Sequence, residues 1–339
     1  MTARAQDDLP ALMELGRALD RWLHASVDAR RLAFHRIALA SLFVLDLLLA
    51  IPHVDMWWTD GGVLPLTQRK LFAPAGTLSL LDWLPSTPNV VWTCWAIALG
   101  QGVLLALGAA TRLQAICVFV WAVSFDFRNA MILDGGDKIF RILLFLTIFM
   151  RSSEVWSLDA FVRRRRGLAV ATEVDGWCLR LVQVQMAALL WSAGVEKLSG
   201  TMWREGTAMY FILHLDDFAM HGPIPDFLRE SLLFSRLTTW GSLLLEILAP
   251  LLVWFRETRR LALLAILMLH LGIEYAMNIY LFEWIMLVGW AAHVTADDVR
   301  ECAKFIQQFG KRREFRTRNE NLIQPSSPVV EHGRPGELR

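Results

Sequence analysis

Apolar blocks of roughly 18–22 residues recur along the chain, and they constrain its fold more than any other feature. That is about the length a helix needs to cross a ~30 Å hydrocarbon core. They fall near 32–51, 88–108, 113–133, 138–152, 176–197, 237–255, 259–279 and 280–297. Hydrophobic residues make up 55% of the 339, more than a soluble domain usually carries. The fifteen tryptophans fit as well, because indole rings favour the membrane interface. The pattern predicts an all-α polytopic integral membrane helix bundle of about eight transmembrane helices.

Charge sets the expected orientation. The 34 basic and 33 acidic residues nearly cancel, but the bases cluster. Arg4, Arg17, Arg21, Arg30 and Arg31 precede the first block. Arg112 follows the second and Arg163–Arg166 the fourth. Arg256, Arg259 and Arg260 join the sixth and seventh, and Lys311, Arg312 and Arg313 follow the eighth. With eight crossings all of these lie on one side, so the positive-inside rule predicts both termini in the cytoplasm. The expected location is the cell (inner) membrane, multi-pass. Nothing in the charge pattern points to nucleic acid. No cleavable signal peptide is expected, since the first ~30 residues lack a short apolar core with a cleavage site. Cys94, Cys117, Cys178 and Cys302 are scattered without a CxxC, so they read as packing residues.

The expected organisation is a cytoplasmic amphipathic segment at 1–31, a transmembrane domain at 32–298 and a largely disordered cytoplasmic tail at 299–339. Leu12, Leu15, Leu19, Trp22 and Leu23 recur at helical spacing among charges. They predict a helix lying on the inner surface or capping the bundle.

Ionisable groups inside spans are costly and mark functional candidates. Asp46, Asp126, Arg128, Asp134, Asp137, Glu196, Lys197 and Glu274 all fall toward the outer ends of their blocks, and His53, Asp55 and Asp60 continue the layer. Such a layer is either an interlocked salt-bridge network or a polar pocket open to the outer face. Arg36 and Arg180 lie nearer the inner side, where snorkelling accounts for them. Glu246 and His270 fall near mid-depth. In "RNAMILDGGDKIFR" the Gly135–Gly136 pair permits a tight turn flanked by Arg128, Asn129, Asp134 and Asp137. His270 and Glu274, four apart, share a helical face and read as a hydrogen-bonded pair. Lys197 reads either as an interfacial anchor or as an amine whose burial favours the neutral, basic form.

Six segments in order — "RLAFHRIALASLFVLDLLLA", "WWTDGGVLP", "RNAMILDGGDKIFRILLF", "WSLD", "GVEKLSGTMWREGTAMYF" and "HLGIEYAMNIYLFEW" — resemble the horizontally transferred transmembrane (HTTM) domain proteins. This domain is the membrane half of the vitamin K-dependent gamma-glutamyl carboxylases, and the resemblance covers roughly 30–300 of the chain. It implies that Lys197 is the base that deprotonates a reduced quinone of vitamin K or menaquinol type at the outer face. It further implies carboxylation of a peptide substrate. Arg128, Asn129, Asp134, Asp137, Glu196, Trp203, Glu274 and Asn278 are then the residues of the quinone and substrate pocket, with no metal. The chain departs from the carboxylases in three ways. "RNAMILDGGD" stands where they have Trp-Asn-Asn-His, and resembles a Gly-Gly-Asp subclass of bacterial members linked to peptide-toxin maturation. Glu196 stands where animal enzymes have a lysine. No counterpart of their large outer domain is expected. Three functions therefore remain open: a quinol-dependent carboxylase-like enzyme, a non-carboxylating maturation or export factor that binds a hydrophobic peptide or lipid, and a small-solute transporter.

Overall fold

The computed structural model describes residues 4–215, 224–301 and 304, with side chains from Met13 onward except Lys70. The chain divides into two compact units, 1–293 and 294–339. The first holds every element discussed below. In the second, Thr295 and Asp298 form a reciprocal turn, with Thr295 Oγ1 donating to Asp298 at 2.6 Å. The tail expected to be disordered lies, from residue 305 on, outside the described residues.

The first unit is helical. Helix α1 (Arg4–Leu23) leads into α2 (Ala29–Ala50), the short α3 (Val54–Trp58) and α4 (Leu66–Phe72). Helices α5 (Pro88–Leu107), α6 (Thr111–Arg128), α7 (Gly135–Phe149) and α8 (Leu158–Arg165) follow. Then come α9 (Trp177–Lys197), α10 (Thr201–Glu205), α11 (Ala208–Ile212) and α12 (Asp226–Arg229). Helices α13 (Leu232–Leu252), α14 (Arg259–Ala276) and α15 (Phe282–Trp290) close the unit. A two-stranded antiparallel ribbon pairs β1 (Ser26–Asp28) with β2 (Glu173–Asp175), placing Val27 opposite Val174.

Four helices, not eight, are long and apolar enough to cross a membrane among the described residues. They are Ala29–Trp58, Pro88–Leu107, Trp177–Lys197 and Leu232–Leu252. The other four expected spans fail for physical reasons. Helices α6 and α14 reach only 18 residues each, and each includes three charges: Arg112, Asp126 and Arg128 in one, Arg259, Arg260 and Glu274 in the other. Helix α7 has 15 residues and α15 has 9, or about 22 Å and 14 Å at 1.5 Å per residue. The apolar blocks read from sequence ran across the turns at 129–134 and 277–281, where the backbone leaves the helix. The orientation expected above was counted over eight crossings, a count that these four candidate spans replace. The chain is a largely α-helical, membrane-associated protein with several apolar helices and many large hydrophobic side chains on its surface.

The charged groups at the helix ends are mostly structural. Arg36, expected to reach for the interface, is fully buried. It donates to Leu105 O at 2.8 Å, Ala106 O at 3.0 Å and Trp156 O at 2.5 Å, tying the end of α5 to the turn before α8. Asp159 accepts from the Ala110 and Thr111 N–H groups and from the Thr111 hydroxyl, which fastens α8 to the start of α6. Burial raises the Asp159 pKa, but these three hydrogen bonds and the Arg163 charge bring it below the ordinary range. Burial likewise raises Glu154, and the hydrogen bonds from Arg151 and the Ala171 N–H, with the Arg163 charge, outweigh it. Helix α1 leaves Met13, Leu15 and Leu19 exposed and ends on Trp22, which packs against Trp254 and under the Arg180 guanidinium.

Candidate functional site

Helix α9 packs on α13 at Gly194, where the backbones approach closely. A Cβ at Gly194 would lie 2.9 Å from Ile247 Cγ1 and 3.1 Å from Glu246 Cβ. One turn further on, Lys197 ends α9, and Glu246 interrupts the apolar run of α13. The contact brings them together: Lys197 Nζ donates to Glu246 Oε1 at 2.5 Å and Oε2 at 2.7 Å. The Glu246 side chain is 5% exposed, that of Lys197 29%. The ammonium also sits 4.7 Å from the centre of the Trp203 ring on α10.

The pair lies on a cavity of about 650 Å³. Phe234, Thr238, Ser242 and Glu246 line one wall at strict four-residue spacing, so they form a single stripe along α13. From Phe234 to Glu246 the stripe runs about 18 Å at 1.5 Å per residue. Thr238 and Ser242 donate their hydroxyl protons to backbone carbonyls at 2.8 and 3.0 Å. Leu269, Gly272, Ile273 and Ala276 line the facing wall from α14, again one helical face. Gly272 opens that wall, since a Cβ there would meet nothing within 4 Å. Helix α11 makes the roof through Met209 and Ile212. It is held there because Thr239 Oγ1 and Ser235 Oγ accept from the Met209 and Tyr210 N–H groups, at 3.0 and 3.1 Å.

A second ionisable pair borders the same space. His270 of α14 hydrogen-bonds through Nδ1 to Glu283 of α15, both nearly fully buried, and Glu283 lines the cavity. The expected His270–Glu274 pair does not form. Glu274 instead accepts from Trp284 Nε1 at 3.1 Å. Four-residue spacing places two side chains on a common face, but which of them meets a neighbouring helix depends on that helix.

The other expected pocket residues lie elsewhere. Arg128 is fully buried and donates to Leu64 O at 2.8 Å, with Asp60 at 3.5 Å. Asn129 donates to Trp57 O at 3.0 Å and accepts from Met131 N. Both therefore pin the 52–87 segment. Asp134 and Asp137 form a reciprocal capping box at the start of α7, where Asp134 Oδ1 accepts from Gly136 N at 2.6 Å and Asp137 Oδ2 from Asp134 N at 2.8 Å. Gly136 lets this turn press on Phe282, whose Cα would sit 3.3 Å from an added Cβ. Phe282 lines the cavity, so the Gly-Gly-Asp turn is the layer behind its wall. Asp126 pairs with Arg141. Glu196 is exposed beside Lys197, about 100° around the helix. Asn278 is exposed in the turn between the lining residues Met277 and Ile279. Of the expected residues, Lys197 and Trp203 alone line the cavity. Glu246, which completes the pair, is distinguished in sequence only as the single acid of α13, and Glu283 only as an acid within an apolar run.

No solved structure matches the chain. A curated relative, the uncharacterized protein YitO of Bacillus subtilis (strain 168), is 26% identical over 163 residues, covering 46% of this chain and 50% of that protein. The match thus spans about half of the relative's length. The family model of the HTTM domain matches residues 24–297, most of the chain. On that match the chain belongs to the HTTM domain family.

Proposed function

We propose that this membrane protein binds a lipid-soluble molecule with a hydroxylated ring in the cavity between α13 and α14, and that the Lys197–Glu246 pair handles the proton of that hydroxyl. The observation that carries the reading is an ion pair on a largely apolar cavity, at one end of a lining stripe about 18 Å long. Such a site, apolar apart from a few ionisable and hydroxyl side chains, suits an amphipathic ligand with a compact head and a greasy tail. A reduced quinone of vitamin K or menaquinol type fits it, with the ring near Lys197 and Trp203 and the tail along the α13 stripe. When bound, a quinol would supply two electrons and two protons, both passing to dioxygen as the ring is oxidised to the quinone.

Glu246 accepts the hydroxyl proton. Lys197, within hydrogen-bond reach of both Glu246 oxygens, balances the negative charge left on the ligand oxygen. The base is thus the pair rather than a neutral lysine. Phe282, backed by the Asp134–Asp137 turn, fixes part of the wall; Arg128 and Asn129 anchor the 52–87 segment, Glu274 holds Trp284, and Asn278 sits between the lining residues Met277 and Ile279. Carboxylation of a peptide rests on the resemblance to the carboxylases alone. The same ion pair also favours a second reading, a maturation or export factor that binds a hydrophobic peptide or lipid without turnover. The Lys197 nitrogen is already engaged by both Glu246 oxygens, which opposes simple amine catalysis.

On this reading the Phe234 end of α13 faces the extracytoplasmic leaflet. The opposite end of α13 is followed by Arg256, Arg259 and Arg260, which the positive-inside rule retains in the cytoplasm. A cysteine at Phe227 should therefore react with an impermeant maleimide in intact cells.

The decisive experiment measures anaerobic menaquinol binding in nanodiscs by quenching of Trp203, with Trp203→Phe as the blank, and then oxidation on admitting dioxygen. Binding that weakens at least about tenfold in Lys197→Met and Glu246→Gln supports the site. Binding without turnover selects the second reading. Binding and oxidation unchanged in both variants would remove Lys197 and Glu246 from the function.

A further inference from the structure

We infer that Glu283, positioned by His270, is a second polar contact for the head of the ligand, so that the cavity selects molecules with two hydrogen-bonding groups on one ring. The inference rests on the binding site proposed above and specifies its substrate class.

Three observations on the structure lead there. Glu283 lines the same cavity as Lys197 and Glu246 but belongs to the other wall, formed by α14 and α15. Its Oε2 is held by His270 Nδ1, while its Oε1 has no hydrogen-bond partner among the described residues. The residue is 1% exposed, so water does not compensate that oxygen from outside. An unpartnered carboxylate oxygen in an apolar interior is expensive, more so than a neutral group. A donor arriving in the adjacent cavity removes that cost. His270 has one ring nitrogen on Glu283 and the other unpartnered, at 2% exposure. It contributes no lining atom, so it acts by fixing the direction in which Glu283 points.

The chemistry then becomes specific. One ring hydroxyl meets the Lys197–Glu246 pair, and a second hydroxyl donates to Glu283 Oε1. A single-headed amphiphile, such as a fatty acid or a monohydroxylated isoprenoid, satisfies only one wall and leaves the Glu283 oxygen bare. A hydroquinone satisfies both. No bond is made or broken at Glu283; its role is selection and orientation.

The test compares naphthohydroquinone with its monomethyl ether, both added anaerobically to the full chain in nanodiscs. The wild type should bind the two-hydroxyl probe about tenfold more tightly than the ether, the value of one buried hydrogen bond to a charged group. In Glu283→Ala that preference should fall to about twofold or less. Glu283→Gln, which keeps an acceptor oxygen, should retain part of it. His270→Asn should reduce the ratio while leaving affinity for the ether unchanged, which a merely structural defect would not do. The ratio on wild-type protein needs no variant to fold. Equal binding of the two probes to wild type, with binding still dependent on Lys197 and Glu246, overturns this inference alone. If neither probe binds in a Lys197-dependent way, the inference and the proposed site fall together.

Discussion

Removing either half of the Lys197–Glu246 pair should destabilise the protein unequally, and the structure sets the order. At 2.7 Å and an effective dielectric of about 20, the attraction between the charges is roughly 6 kcal/mol before desolvation is counted. Most of that is spent on taking the carboxylate out of water, since Glu246 is 5% exposed. Lys197→Met therefore leaves an uncompensated buried anion, at a cost of about 3–5 kcal/mol. Glu246→Leu leaves a lysine that is 29% exposed, still faces Trp203, and can turn its ammonium toward water. That change should cost about 1–2 kcal/mol. The double variant Lys197→Met/Glu246→Leu removes both charges and should return to within about 1 kcal/mol of wild type. Thermal unfolding in detergent, followed by tryptophan fluorescence, reads the series as shifts of about 2 °C per kcal/mol. Equal losses in the two single variants would refute the assignment of Glu246 as the desolvated partner. A double variant worse than the sum of the singles would refute the pairing itself.

Other consequences are simpler to read. Gly272→Leu adds a side chain into open space on a helix interior, so it should hold or raise stability by about 0.5–1 kcal/mol while abolishing ligand binding; calorimetry with parallel binding checks both. Gly194→Val pushes Ile247 and Glu246 away from α9 and should cost about 1–3 kcal/mol and weaken the ion pair, visible as loss of the Lys197→Met effect in that background. For pH, Glu154 is an acid whose folded pKa lies below its ordinary value of 4.5, so the stability it contributes is complete above that value. It disappears as pH falls through the folded pKa. Glu154→Gln should accordingly flatten the acid limb of the stability profile below about pH 4.5 and leave the neutral region with a constant offset.

Several features of the site could be read before any coordinates. The side-by-side Glu196 and Lys197 at the end of an apolar block marked the end of a helix, which α9 does reach at Lys197, and Gly135–Gly136 marked a tight turn that does form. The acids of that turn were legible as acids but not as what they are, since a capping box and an open pocket use the same residue types. The partner of Lys197 was not legible. Asp46, Asp126, Asp137 and Glu274 were equally plausible by depth, and only the close contact at Gly194 selects Glu246, 49 residues away. For the same reason His270 was assigned to Glu274, four residues along its own helix, when the packing of α15 gives it Glu283.

What the sequence determined by itself is local: helical periodicity, the apolar composition that commits the chain to a membrane, and the presence of costly charges within it. These follow from residue chemistry within one or two turns. Tertiary structure decided where helices stop, which left four long enough to cross a membrane, and which charges neutralise one another. It also decided that Lys197, Glu246 and Glu283 face one cavity. The reason is physical. A helix end and an ion pair each depend on a competing partner brought from far along the chain, and hydropathy, summed within a window, has no knowledge of that partner.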